Sequence, residues 1–173
     1  MEQKWEVKMK HIDIVELLVD KDEYRAKGVQ KGMRGRITDC DVFEDKKRLV
    51  FFVLGKGDNR FVVTALYIPE TDLRVVDEWI YSNGEKIVLP FNEYARVVVT
   101  EEKEKYANDG VHKGFDGWIC DPRRIENSWL VSFDQYGDLP DIACISAKER
   151  DMEVVVPAPC DLIDYKEWSK KGK

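Results

Sequence analysis

Histidine is almost missing: His11 and His112 are the only two in 173 residues. Cysteine occurs four times, as Cys40, Cys120, Cys144 and Cys160, and no two form a C-x-x-C pair. Structural zinc wants Cys and His clustered at close spacing, so no metal site is expected. No apolar run approaches the roughly 18–20 residues that cross a bilayer. The N-terminal Met1-Glu-Gln-Lys-Trp-Glu6 carries charge where a secretory leader is apolar. These features predict a cytoplasmic protein with reduced thiols and no membrane partner. A basic surplus is lacking too: 28 basic residues face 34 acidic ones, for a net charge of -6 and a pI near 5.1. That balance disfavours nucleic acid as the partner. The phosphate-cradling pattern G-x-x-x-x-G-K-[ST] is absent, and no cofactor is expected.

Catalytic players are equally sparse. His112 and Cys120 lie near one turn, but a nucleophile–base pair needs a third group to orient it, and no motif supplies one. The chain therefore reads as a non-enzyme.

An internal repeat is what the chain does contain. Val15–Asp39 and Val97–Asp121 align at an offset of 82 residues without a gap. Identical pairs include Lys21/Lys103, Tyr24/Tyr106, Gly28/Gly110, Gly32/Gly114, Gly35/Gly117 and Asp39/Asp121. The downstream endings E-x-D-L-x-V-V (Glu70–Val76) and E-x-D-M-x-V-V (Glu149–Val155) match at an offset of 79. Loops absorb the three-residue difference at little cost. Two copies is too few for a solenoid, which leaves two copies of one small domain.

Alternation at Val15, Leu17 and Val19, and again at Trp129, Val131 and Phe133, predicts strands. Glycines at Gly32, Gly35, Gly114 and Gly117 predict tight turns and sharply bent strands. Asn83-Gly84 predicts a hairpin between the copies, with a further strand near Trp5, Val7 and Met9. Asp161 is the expected cap of a short C-terminal helix. The fold expected is all-β: two small barrels from an internal duplication, joined by a β-hairpin, with that helix last. The segments are 1–76, 77–94, 95–156 and 157–173.

The pattern G-V-x-K-G-x-x-G-x-I-x-D, then W-x-V-x-F, then I-x-x-x-E-x-D-M-x-V-V, resembles small SH3-like barrels. It is similar to KOW-type barrels and to short bacterial domains of unknown function. The resemblance covers roughly positions 13–76 and 95–156 and implies two SH3-like barrels.

The copies differ in charge. Residues 15–39 carry six basic and five acidic side chains, whereas residues 97–121 carry three and six. A tandem nucleic-acid binder is expected to keep basic residues in both, because phosphate contacts dominate affinity. The favoured function is a non-catalytic protein-binding module, of the type of an inhibitor or immunity protein acting on a basic partner. The alternative is a KOW-like RNA- or ribosome-associated protein using Lys31, Arg34 and Arg36. Function has room where the copies diverge. The expected partner surface is therefore Asp116, Trp118, Arg123, Arg124 and Tyr136, with Asp134 and Asp138 at its acidic rim and Trp129 nearby.

Overall fold

A computed structural model describes residues 9–39, 46–80, 84–134 and 140–171. Trp5, Val7, Cys40, Asn83, Tyr136 and Asp138, all named above, lie outside the described residues. The chain divides into unit 1, Met1–Ile87 with Ile163–Lys173, and unit 2, Val88–Leu162.

Most of the regular structure is β strand. Unit 1 runs β1 (Ile14–Leu17), α1 (Asp22–Arg25), β2 (Arg34–Ile37), β3 (Lys47–Lys56) and β4 (Phe61–Pro69). A 3-10 turn at Glu70–Asp72 then leads into β5 (Leu73–Val76). Unit 2 repeats that succession as β6 (Arg96–Val99), α2 (Glu104–Ala107), β7 (Asp116–Ile119), β8 (Ser128–Phe133) and β9 (Ala143–Lys148). Its 3-10 turn is Glu149–Asp151 and its last strand β10 (Met152–Val156). The strand orders correspond: β4-β3-β2-β1-β5 in the first sheet and β9-β8-β7-β6-β10 in the second. The first sheet gains a sixth strand, β11 (Leu162–Asp164), beside β4.

The repeated residues explain why both sheets form. Val15 lies opposite Gly35 in one, and Val97 opposite Gly117 in the other. A Cβ on Gly35 would come within 2.7 Å of the Phe51 carbonyl oxygen, and one on Gly117 within 2.6 Å of that of Ser132. No other residue fits so close to a neighbouring backbone. Gly32 and Gly114 both take φ +90°, the left-handed region that favours glycine. The G-x-x-G spacing thus combines a turn that needs positive φ with a strand that needs a missing side chain. Between β1 and β2 the sequence predicts only a turn. The structure places a single helical turn there, and again between β6 and β7.

Inward-facing residues form the core of each unit. In unit 1, Val15, Leu17, Tyr24, Val29, Ile37, Val50, Phe52, Ile68 and Leu73 are buried together. In unit 2 the corresponding Val97, Val99, Tyr106, Val111, Ile119, Val131, Phe133 and Met152 are buried. Each such aliphatic or aromatic side chain contributes about 1.5–3 kcal/mol when removed from water.

The E-x-D motif fastens the helical turn to the sheet in both units. Tyr24 Oη donates to Asp72 Oδ2 at 2.8 Å, and Tyr106 Oη to Asp151 Oδ2 at 2.7 Å. Lys21 Nζ joins Asp72 at 2.8 Å, and Lys103 Nζ lies 3.7 Å from Asp151. The glutamates act differently. Glu70 Oε1 lies 3.5 Å from the buried guanidinium of Arg48, whereas Glu149 Oε1 accepts from the Trp129 indole at 2.8 Å.

After β5, Ile80 bridges Lys86 around Gly84. At the other end of the chain, the cap of the last helix is Asp164 and not the expected Asp161. Residues 162–164 first extend as β11, so α3 (Tyr165–Lys171) begins later, and Asp164 Oδ1 accepts from the Lys166 amide at 2.8 Å. No helix among the described residues is long and apolar enough to cross a membrane.

Candidate functional site

Strand pairing selects which side chains share the outer face of unit 2. Trp118 lies opposite Arg96 on β6 and opposite Ser132 on β8, so these three point the same way. Trp129, with Val131 and Phe133, points inward and is buried. The expectation that Trp129 flanks Trp118 on one surface is therefore corrected: the pleat sends them to opposite faces.

The Trp118 ring lies nearly parallel to Tyr94, at 10° with centroids 6.0 Å apart. Tyr94 is 59% exposed, so one side of this stack is open to solvent. Beside this pair, Arg96 Nη1 lies 2.7 Å from Asp116 Oδ2 and 3.6 Å from Asp134 Oδ1. Three sequence-predicted residues, Asp116, Trp118 and Asp134, thus converge on two that the sequence reading missed, Tyr94 and Arg96. The available signal was the repeat itself, because Ile12 and Ile14 stand at these two positions in the first copy.

The arginines do not join this cluster. Asp116 opens β7, whereas Arg123 and Arg124 follow its far end. Arg123 is clasped by Asp121, with Nε and Nη2 donating at 2.9 and 2.7 Å. Those bonds hold the Asp121 carboxyl down to about 2. Arg124 donates to both oxygens of Glu149, at 2.7 and 3.2 Å, and keeps that carboxyl below its usual range. Each guanidinium is paired within unit 2, while both side chains remain exposed.

His112 and Cys120 also have other partners. His112 Nδ1 lies 2.9 Å from Glu102 Oε1, while Cys120 Sγ lies 3.8 Å from Cys144 Sγ. Among the described residues, no group of three or more His, Cys, Asp or Glu is placed to hold a metal ion.

The matching face of unit 1 is closed. Arg36, the counterpart of Trp118, is 5% exposed, and its guanidinium sits 4.8 Å over the Trp79 ring. Arg34 donates to the Glu78 carbonyl at 2.6 Å. The arginines of the alternative RNA reading are thus bound to the segment that follows β5. Charge separates the units further: unit 1 contains 20 basic and 19 acidic residues, and unit 2 contains 8 and 15.

No family model matches this chain, and neither the curated proteins nor the solved structures searched contain a match to it.

Proposed function

We propose that the chain is a tandem of two SH3-like barrels produced by duplication, and that it is a non-catalytic protein-binding module. The common strand order, with the first strand between the second and the last, supports the SH3-like reading. So does the 3-10 turn before each closing strand. Ten identities in register support duplication.

One observation carries the binding role: the parallel Tyr94–Trp118 pair on the outer face of the acidic unit, flanked by Arg96, Asp116 and Asp134. Tyr, Trp and Arg are the residues over-represented where binding energy concentrates. The surrounding acidic surplus steers a basic partner toward them. An inhibitor or immunity protein that occupies a basic site in the cytoplasm fits this arrangement.

The test is affinity purification from the source cell with wild-type chain and two variants. Trp118→Ala should release the captured basic protein, and Arg34→Ala in unit 1 should retain it. Equal capture by wild type and Trp118→Ala would reject this face.

A further inference from the structure

Unit 1 carries a second surface of different chemistry, where α3 lies against its own sheet. The Tyr165 ring approaches within 3.0 Å of the position a Cβ on Gly28 would occupy. The Trp168 indole lies 3.9 Å from the equivalent position on Gly57, in the β3–β4 turn. Tyr165 and Trp168 are 6.2 Å apart, and Trp168 remains 47% exposed.

Two clefts meet at this tryptophan. One, of about 380 Å³, is lined by Arg25, Lys56 and Tyr165. The other, of about 760 Å³, is lined by Asn59, Arg60, Ser169 and Lys171. Among the described residues lining either cleft, Asp58 is the only carboxylate. Arg25 is paired with Asp22 at 3.0 Å. Lys56, Arg60 and Lys171 form no ion pair with a described carboxylate. Lys27 and Lys166 reinforce the sign of the field. Lys166 beside it holds the Lys27 ammonium below the ordinary lysine range, and the opposing pull of Asp164 does not cancel this.

We infer that this double cleft binds single-stranded nucleic acid, with a base stacked on Trp168 and the backbone phosphates on Lys56, Arg60 and Lys171. A cationic groove tracking the backbone and an aromatic ring open to one face are the two elements that such binding combines. A duplex keeps its bases stacked inside and offers Trp168 nothing to cover. An acidic peptide would satisfy the cations without using the ring. Unit 2 keeps its acidic face for a protein partner, so this inference goes beyond the proposed function and stands apart from it. The negative charge of the whole chain does not oppose it, because the acidic surplus lies in unit 2.

The full chain should be titrated into fluorescein-labelled oligo-dT and oligo-U of about ten nucleotides, a length suited to one small binding groove. Fluorescence anisotropy should show binding at low salt, with a log–log salt slope of about -2, as expected for three phosphate contacts on a single strand. Trp168→Ala should weaken binding roughly tenfold, the size of one lost base stack, and Trp168→Phe should restore part of it. Because Trp168→Ala also loosens α3, the double variant Lys56→Gln/Arg60→Gln on the hairpin is the second arm. It should weaken binding and flatten the salt slope. Trp118→Ala in unit 2 should leave the oligonucleotide affinity unchanged. The inference is overturned by no binding at low salt, or by equal affinity for duplex. Competition by polyglutamate as effective as that by oligo-U would overturn it too. So would a mononucleotide that binds as tightly as the ten-mer.

Discussion

The Tyr106 hydroxyl bridges two partners at once, donating to Asp151 Oδ2 at 2.7 Å and accepting from the Lys148 amide at 3.0 Å. Asp151 is 1% exposed, and its cations stand farther off than those of Asp72 in unit 1. The same Tyr–Asp contact therefore has more at stake in unit 2. Tyr106→Phe should destabilise the protein by about 1–3 kcal/mol, the cost of a buried acceptor left unpaired. Tyr24→Phe should cost nearer 1 kcal/mol, because Lys21 still serves Asp72. Urea unfolding of the two variants checks the order; a larger loss for Tyr24→Phe would contradict it.

These contacts also set the pH range of stability. Burial works to raise the Asp72 carboxyl, but hydrogen bonds from Lys21 and Tyr24 outweigh it and hold it below the usual range. A group whose folded pKa is depressed stabilises the fold above its unfolded value, near 3.9, and loses that contribution as pH falls. Burial and the Asp151 bond push Tyr106 the other way, up to about 12, and Tyr24 is likewise raised. Their contribution is complete below about pH 10 and disappears as pH rises through the folded values. Stability measured across pH should thus decline below about pH 4 and again above about pH 10. In an alkaline absorbance titration, Tyr24 and Tyr106 should ionise only as the fold is lost.

Gly117→Ala should be among the more damaging small substitutions, at about 1–3 kcal/mol, because the new methyl meets a backbone oxygen that cannot turn aside. Gly35→Ala should behave alike. Gly55→Ala, which meets nothing within 4 Å, should change stability by no more than about 0.5 kcal/mol. Thermal unfolding of the three variants provides the comparison.

Thiol chemistry distinguishes the cysteines. Burial, and then the contact with Cys144, raise the Cys120 thiol to about 11. The thiolate is the reactive form, so Cys120 should alkylate later than the exposed Cys144 and Cys160 at pH 8. Its rate should keep rising toward pH 11. Peptide mass mapping of partial alkylation would show the order, and early labelling of Cys120 would contradict it.

The sequence carried the β-rich character of the chain and the location of its strands, because glycines in register and alternating residues are local signals. It also marked Tyr24 and Tyr106 as equivalent positions of the repeat. It could not name their acceptors, since 48 residues separate Tyr24 from Asp72 and no short-range spacing marks the pair. The pairing of Arg124 with Glu149 was hidden for the same reason, whereas Asp121, two residues before Arg123, was a visible partner. Arg96 went unread because a single arginine in a hydrophobic strand acquires meaning only when β7 and β8 bring Asp116 and Asp134 to it. The C-terminal helix was legible but its docking was not, because contacts of Tyr165 and Trp168 beside Gly28 and Gly57 leave no pattern in its own composition.

That docking makes unit 1 discontinuous: its final strand and helix come from Ile163–Lys173, after the whole of unit 2. During synthesis, the outer edge of β4 emerges more than ninety residues before β11 can cover it. At ordinary elongation rates that interval is on the order of ten seconds, during which an unpaired strand edge is open to other chains. Unit 2, whose strands are consecutive, can complete itself within the same interval. The order in which the ribosome delivers the chain thus matures the acidic unit first and leaves the basic cleft at α3 until last.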